Sequence, residues 1–214
     1  MPTAAASPCN LGILVSGRGS NMLAIIRAIE RKEIKGAKVA VVISYKRAAK
    51  ALDSAMRHGI DAVWLDPAEA ASRLDYDMRL LDVLREKGVT PKGGLVLLAG
   101  FMRLLSPELV DAFRGRMMNV HPALLPSFPG LRAQEQALEY GVKVSGCTVH
   151  FVVPEVDSGP IILQTAVKVE DGDTPESLSA RILKQEHLIY PLAVKLFVEG
   201  RLKIEGRKAV ITRK

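Results

Sequence analysis

Asn119 and His121 stand two residues apart in the stretch Met117-Met118-Asn119-Val120-His121-Pro122. Both are of types that manage developing charge. Amide N–H groups steady an oxyanion, and histidine gives or takes a proton near neutral pH. Arg116–His121 reads as a strand that stops at Pro122, which lacks a backbone donor and holds His121 extended. Alternate side chains share a face, so Asn119 and His121 lie roughly 6–7 Å apart on one side. Open α/β sheets bind ligands at such a C-terminal strand end. An ordinary strand end with two solvated polar residues is the plainer alternative, and residue types alone favour it. The following loop shifts the balance, because Pro122, Pro126, Pro129 and Gly130 make it stiff enough to form a wall. Asp157, before Ser158-Gly159-Pro160, fits a turn aspartate bonding its own backbone. Folded over the strand ends it would instead approach His121, raise its pKa and favour imidazolium.

The elements that must position these residues alternate along the chain. Leu11–Val15 is an apolar run consistent with a buried parallel strand. Gly17-Arg18-Gly19-Ser20-Asn21 then leads into a helical pattern from Met22 to about Arg31. A strand, a glycine-rich turn and a helix N-terminus point N–H groups and a positive dipole end at an anion. Ser20 and Asn21 equally suit helix capping. The turn lacks the Gly-Lys-Ser/Thr of a P-loop and the third glycine of a dinucleotide fingerprint, so a single phosphate group is the expected ligand.

Further strands are expected at Lys38–Ile43, Ala62–Leu65 and Leu95–Leu98. Helices are expected over Arg47–His58, Ala68–Glu86 (with a break near Arg73-Leu74-Asp75) and from Ser106. This alternation predicts a mainly parallel sheet with helices on both faces. Beyond a short helix at Ala133–Tyr140 the rhythm changes. Cys147–Val153 and Ile161–Val169 are joined closely enough to be antiparallel. A long helix from Thr174 to about Glu199, interrupted only by Pro191, precedes a strand pair within Arg201–Thr212. We expect a tail over residues 1–10 and one domain over 11–214, its phosphate-binding half about 11–100 and its catalytic half about 101–214.

The other histidines invite plainer roles. His58 ends a helix beside Gly59, His187 lies in the last helix, and His150 alternates with apolar neighbours as an interior, hydrogen-bonded histidine would. No serine sits in a Gly-x-Ser-x-Gly elbow and no two-histidine metal spacing exists, so neither a serine hydrolase nor a zinc enzyme is indicated and no metal is expected. The formal net charge is +7 with 5% aromatic residues that interleave with no basic stripe, so no nucleic-acid partner is expected. The first ten residues do not read as a signal peptide, and no apolar run approaches a membrane span. Cys9 and Cys147 fit free thiols in a reducing compartment, and a cytoplasmic location is expected.

Taken together, several segments resemble the glycinamide ribonucleotide transformylase family, the folate-dependent formyltransferases of purine synthesis. They are Ser16–Asn21, Leu98–Pro107, Asn119–Pro126, Val149–Val152, Val156–Ile162 and Gln185-Glu186-His187, in family order from Leu11 to about Lys203. The Asn-x-His-Pro and Asp set is shared by folate formyltransferases generally, and Ser-Gly-x-Gly-Ser-Asn narrows it to this branch. The resemblance implies a Rossmann-like α/β formyltransferase fold with an antiparallel C-terminal portion. It implies 10-formyltetrahydrofolate as co-substrate and 5′-phosphoribosylglycinamide as formyl acceptor. It also implies catalysis by Asn119, His121 and Asp157, a substrate phosphate held by Gly19, Ser20 and Asn21, and ribose hydroxyls on Glu186. Arg73, Met102, Arg103, Leu104, Leu105 and Asn119 would line the folate pocket. Three residues before Glu186, where some relatives carry Lys or Gln, this chain has Leu183.

The resemblance leaves room for a methionyl-tRNA formyltransferase, which normally has a further C-terminal β-domain, and for a formyltetrahydrofolate deformylase, which usually has an N-terminal regulatory domain. A non-catalytic nucleotide-phosphate module would require Asn119, His121 and Asp157 to lie far apart. Either a monomer or a homodimer is compatible with the sequence.

Overall fold

The structure is a computed structural model that describes residues 8–213. Residues 1–7 of the expected tail lie outside the described residues, whereas Cys9 and Asn10 already belong to the first strand. In chain order the elements are β1 (Cys9–Val15), α1 (Ser20–Glu30), β2 (Ala37–Ser44), α2 (Lys50–Arg57), β3 (Asp61–Trp64), α3 (Arg73–Glu86), β4 (Leu95–Leu98) and α4 (Pro107–Ala112). They continue with β5 (Met117–His121), α5 (Ala133–Tyr140), β6 (Val144–Phe151), β7 (Ile161–Lys168), α6 (Pro175–Val198), β8 (Leu202–Glu205) and β9 (Lys208–Ile211).

The described strands form one sheet in the order β3-β2-β1-β4-β5-β6-β7-β9-β8. Pairing is parallel from β3 to β5 and antiparallel through β6 and β7. Strand β9 meets β7 through the single parallel pair Ile161–Lys208, and β8 closes the edge antiparallel to β9. The mainly parallel half and the antiparallel C-terminal portion are both as expected from the sequence.

Strand β1 shows why the sheet is covered on both sides. Leu11, Ile13 and Val15 join a core with Met22 and Ile25 of α1 and Ile182 and Tyr190 of α6. Leu14 faces the opposite core, with Tyr76, Leu80 and Leu84 of α3 and Leu109 of α4. Period-two alternation on a strand buried on both faces gives this division.

Local chemistry sets the helix starts. The helical pattern expected from Ala68 breaks where it was expected to, near Arg73. Asp66 caps a single 3₁₀ turn at Pro67–Glu69, and Ser72 Oγ then accepts from Asp75 N at 3.0 Å to begin α3. Ser106 and Pro107 open α4. Thr174 and Ser177 exchange side-chain and backbone bonds at the start of α6, which runs on through a buried Pro191.

Crossovers from β1 run to β2 and β3 on one side, while β4 and β5 lie on the other. The sheet thus has its switch point between β1 and β4, where a crevice opens beyond the strand ends. Ser16 Oγ donates to the Gly100 carbonyl across that crevice. Tyr190 of α6 is fully buried, and its hydroxyl lies 3.2 Å from the Leu98 carbonyl and 3.0 Å from the Met118 carbonyl. That hydroxyl ties the last helix to the two strands that deliver the site.

Candidate active site

Strand β5 ends with Asn119 half-buried and His121 only 4% exposed. The antiparallel register sets Asn119 opposite His150 and His121 opposite Thr148. Thr148 anchors the loop that follows. Its Oγ1 donates to the Ala123 carbonyl at 2.7 Å and accepts from Leu125 N at 3.0 Å, on either side of Ala123–Leu125. The Leu125-Pro126 peptide is cis.

Asp157 comes from the loop between β6 and β7 and does fold over the strand ends. Its backbone is left-handed, with φ of 50°. Oδ2 lies 3.2 Å from His121 Nδ1 and accepts from Gly130 N at 2.8 Å. Oδ1 lies 3.5 Å from both Asn119 Nδ2 and His150 Nε2. Its partners are thus remote side chains and the Gly130 amide, not the backbone of its own turn. The non-catalytic reading required these residues to be dispersed, and they form one cluster.

The other nitrogen of His121, Nε2, lies 2.8 Å from the Phe128 carbonyl. A carbonyl only accepts, so Nε2 carries a proton and donates it. Burial lowers the His121 pKa, and this outweighs the Asp157 charge and the Phe128 hydrogen bond, which both raise it. This corrects one sequence expectation. Asp157 does approach His121, but desolvation of the buried ring is the larger effect, so the resting side chain favours neutral imidazole over imidazolium. Burial pushes the Asp157 carboxyl up, yet hydrogen bonds from His150 and Gly130 and the nearby imidazoles bring it below its ordinary value. A carboxylate therefore faces a ring nitrogen well placed to receive a proton.

His150 is the residue whose place sequence reasoning undervalued. It is the interior, hydrogen-bonded histidine expected, with Nδ1 2.9 Å from the Phe151 carbonyl. Yet Nε2 lies 3.4 Å from Asn119 Nδ2, inside the cluster. Antiparallel pairing with Asn119 puts it there, and that register is the signal that could have found it.

Arg73, Met102, Arg103, Leu104 and Leu105 line one cavity of about 420 Å³ together with Asn119, His121, His150 and Asp157. That volume lies in the usual range for small-molecule sites. Met102 and Leu104 are exposed at 63% and 60%, which makes an apolar rim. The Arg103 guanidinium stacks 4.5 Å from the Tyr76 ring and 5.5 Å from the Tyr45 ring, so its cation is held in place in the wall.

Gly19, Ser20, Asn21 and Glu186 are not part of that lining. They lie at the end of β1 and on α6, one strand away across the switch point. Gly19, with φ of 76°, caps α1 in place of Ser20 or Asn21, and no side chain bonds the first-turn N–H groups. The Asn21 side chain turns away from the cap and donates from Nδ2 to Glu186 Oε2 at 2.6 Å, in a buried contact. Burial raises the Glu186 pKa, and the Asn21 hydrogen bond partly offsets that rise. Asn21 Oδ1 has no partner among the described residues.

Residues 9–194 match the model of the formyl transferase family. The chain is also 44% identical to phosphoribosylglycinamide formyltransferase of Escherichia coli (strain K12), over 94% of this chain and 92% of that protein. The chain belongs to the phosphoribosylglycinamide formyltransferase family. It is likewise 44% identical, over 91% of its length, to a segment making up 19% of the human trifunctional purine biosynthetic protein adenosine-3. Among solved structures, glycinamide ribonucleotide transformylase 1 from Symbiobacterium toebii superposes with a TM-score of 0.93 at 51% identity, covering 98% of this chain and 96% of that one. The formyltransferase fold expected from the sequence is the fold found. Among the described residues no helix is long and apolar enough to cross a membrane, and no group of three or more His, Cys, Asp or Glu side chains could hold a metal ion.

Proposed function

We propose that the chain transfers the formyl group of 10-formyltetrahydrofolate to the primary amine of 5′-phosphoribosylglycinamide, through direct attack and a tetrahedral intermediate. Formyl transfer in purine biosynthesis is the activity of the family to which it belongs. The observation that carries the mechanism is the convergence of Asn119, His121 and Asp157 at one end of the sheet, with Asp157 Oδ2 3.2 Å from His121 Nδ1.

The donor substrate fits the cavity. Its bicyclic ring and benzoyl linker suit the apolar walls, and its glutamate carboxylates suit Arg73 and Arg103. The acceptor's phosphate takes the uncapped first turn of α1 at Gly19, Ser20 and Asn21. Its ribose hydroxyls bind Glu186, whose carboxylate Asn21 orients.

As the amine attacks, Asn119 Nδ2–H and His121 Nε2–H donate to the forming oxyanion, which takes the place of the Phe128 carbonyl at Nε2. Neutral imidazole is a competent donor here because Nε2 keeps its proton. The attacking nitrogen then sheds one proton by way of the Asp157 carboxylate, which passes it to His121 Nδ1 3.2 Å away. The resulting imidazolium strengthens the bond to the oxyanion, and Asp157 balances its charge. Collapse restores the formyl C=O on the newly bonded nitrogen, breaks the bond to N10 of the folate, and returns that one proton to N10. Protons balance.

The test offers 10-formyltetrahydrofolate with phosphoribosylglycinamide, with formyl-acceptor tRNA, or with water alone. Rapid turnover is expected with the first. Comparable turnover with tRNA or water would reassign the substrate.

A further inference from the structure

A second concavity, also of about 420 Å³, lies between α1 and α6, away from the site described above. Arg27, Arg31 and Lys195 line it with a single carboxylate, Glu33. None of these four forms an ion pair among the described residues. Arg27 and Arg31 are one helical turn apart, where like charges repel. Three cations facing one carboxylate leave a charge near +2 gathered in one groove. The rest of the wall is apolar or flat. Leu192 stands 44% exposed there, and the His187 ring has an Nε2 with no hydrogen-bond partner among the described residues. Burial and the Arg27 charge lower the His187 pKa, so that ring adds little charge of its own.

The groove shares both its helices with the candidate phosphate cradle. Asn21 lies in the first turn of α1, which carries Arg27 in its last turn and is capped by Arg31, and Glu186 immediately precedes His187. Asn21 and Glu186 are joined at 2.6 Å. A ligand bridging the two helices at the groove bears on the same pair of helices that this contact joins.

We propose that the groove is a second binding site, for a small phosphate monoester carrying a flat, weakly polar body, and that its occupancy is felt at the Asn21–Glu186 pair. A phosphate monoester brings a charge of about −1.5 to −2 at neutral pH, which matches the uncompensated charge, whereas a carboxylate brings half as much. The flat body lies against Leu192 and His187.

AMP is a suitable probe, with adenosine and inorganic phosphate as the two half-ligands. Calorimetry should show AMP binding the wild-type chain more tightly than either half. The double variant Arg31→Glu, Lys195→Glu changes side chains outside the candidate catalytic machinery, so its turnover without AMP should match wild type. It should bind AMP roughly tenfold more weakly or worse. In the wild type alone, AMP should alter KM for phosphoribosylglycinamide. AMP binding of undiminished strength in the double variant would place the nucleotide in the α1 cradle and overturn the proposal. So would the absence of binding to wild type at millimolar AMP. Should the double variant fail to fold, the wild-type NMR spectrum decides. AMP should move the His187 imidazole signals and leave those of His58 in place, and the reverse or neither overturns the site. Calorimetry and NMR do not depend on the enzymatic reaction, so this test stands or falls apart from the proposed function.

Discussion

Asp157 meets His121 at Nδ1, while the Phe128 carbonyl holds the other ring nitrogen at 2.8 Å. The imidazole is therefore flanked by acceptors on both sides, and burial is what keeps a second proton off it. Such a ring is ready to take a proton the moment the reaction releases one. The same arrangement explains why its resting charge could not be inferred from the nearness of a carboxylate alone.

This balance can be measured by NMR titration of His121. Its midpoint should lie below the ordinary value of 6.5, because burial is the largest influence on it. Asp157→Asn removes a charge that raises the pKa, so the midpoint should fall further. Unfolded chains bind more protons than folded ones between the lowered value and 6.5, so His121 makes stability rise with pH across that window and level off above it. Loss of kcat/KM as pH falls through the measured midpoint should accompany protonation. A midpoint above 6.5 would restore a resting imidazolium.

Asn119→Ala removes one oxyanion donor and leaves the arginines and apolar residues of the cavity wall in place. Turnover should fall by about 10²–10³-fold with little change in KM for either substrate. Steady-state kinetics distinguish this from simple loss of folate binding, which would raise KM and spare turnover.

Gly19→Ala probes the cradle. A Cβ there would lie 2.6 Å from Ala51 Cβ, on a backbone whose φ of 76° suits glycine. The turn must shift, which should raise KM for phosphoribosylglycinamide far more than KM for the folate. Equal effects on both would mean that the turn does not hold the acceptor's phosphate.

Tyr190→Phe deletes the hydroxyl that reaches the Leu98 and Met118 carbonyls in a fully buried position. Urea unfolding should show a loss of about 0.5–1.5 kcal/mol. Unchanged stability would mean that the two carbonyls do not depend on this donor.

Much of this molecule could be read from its residues. Apolar runs located β1 and β4, Ser106-Pro107 and Thr174-Pro175 located the starts of α4 and α6, and Pro122 located the end of β5. Asn119 and His121 followed from strand alternation. What escaped was set by the balance of long-range effects. Sequence spacing shows that a carboxylate and an imidazole can meet, yet says nothing of how deeply they are buried, and here burial decides the charge. It left Asn21 as a capping candidate because its true partner, Glu186, is supplied by the last helix. His150 looked structural because its neighbour across the sheet is fixed by register, which the single strand does not reveal.

Helix α6 carries both Glu186 and Tyr190, the one joined to the first helix and the other fastened beneath β4 and β5. During vectorial synthesis, a nascent chain can have extruded Asn119, His121 and Asp157 and still lack the buttress beneath them. Competence therefore waits for residues near 190, because the buttress comes from the last helix and reaches both the first helix and the strands of the site.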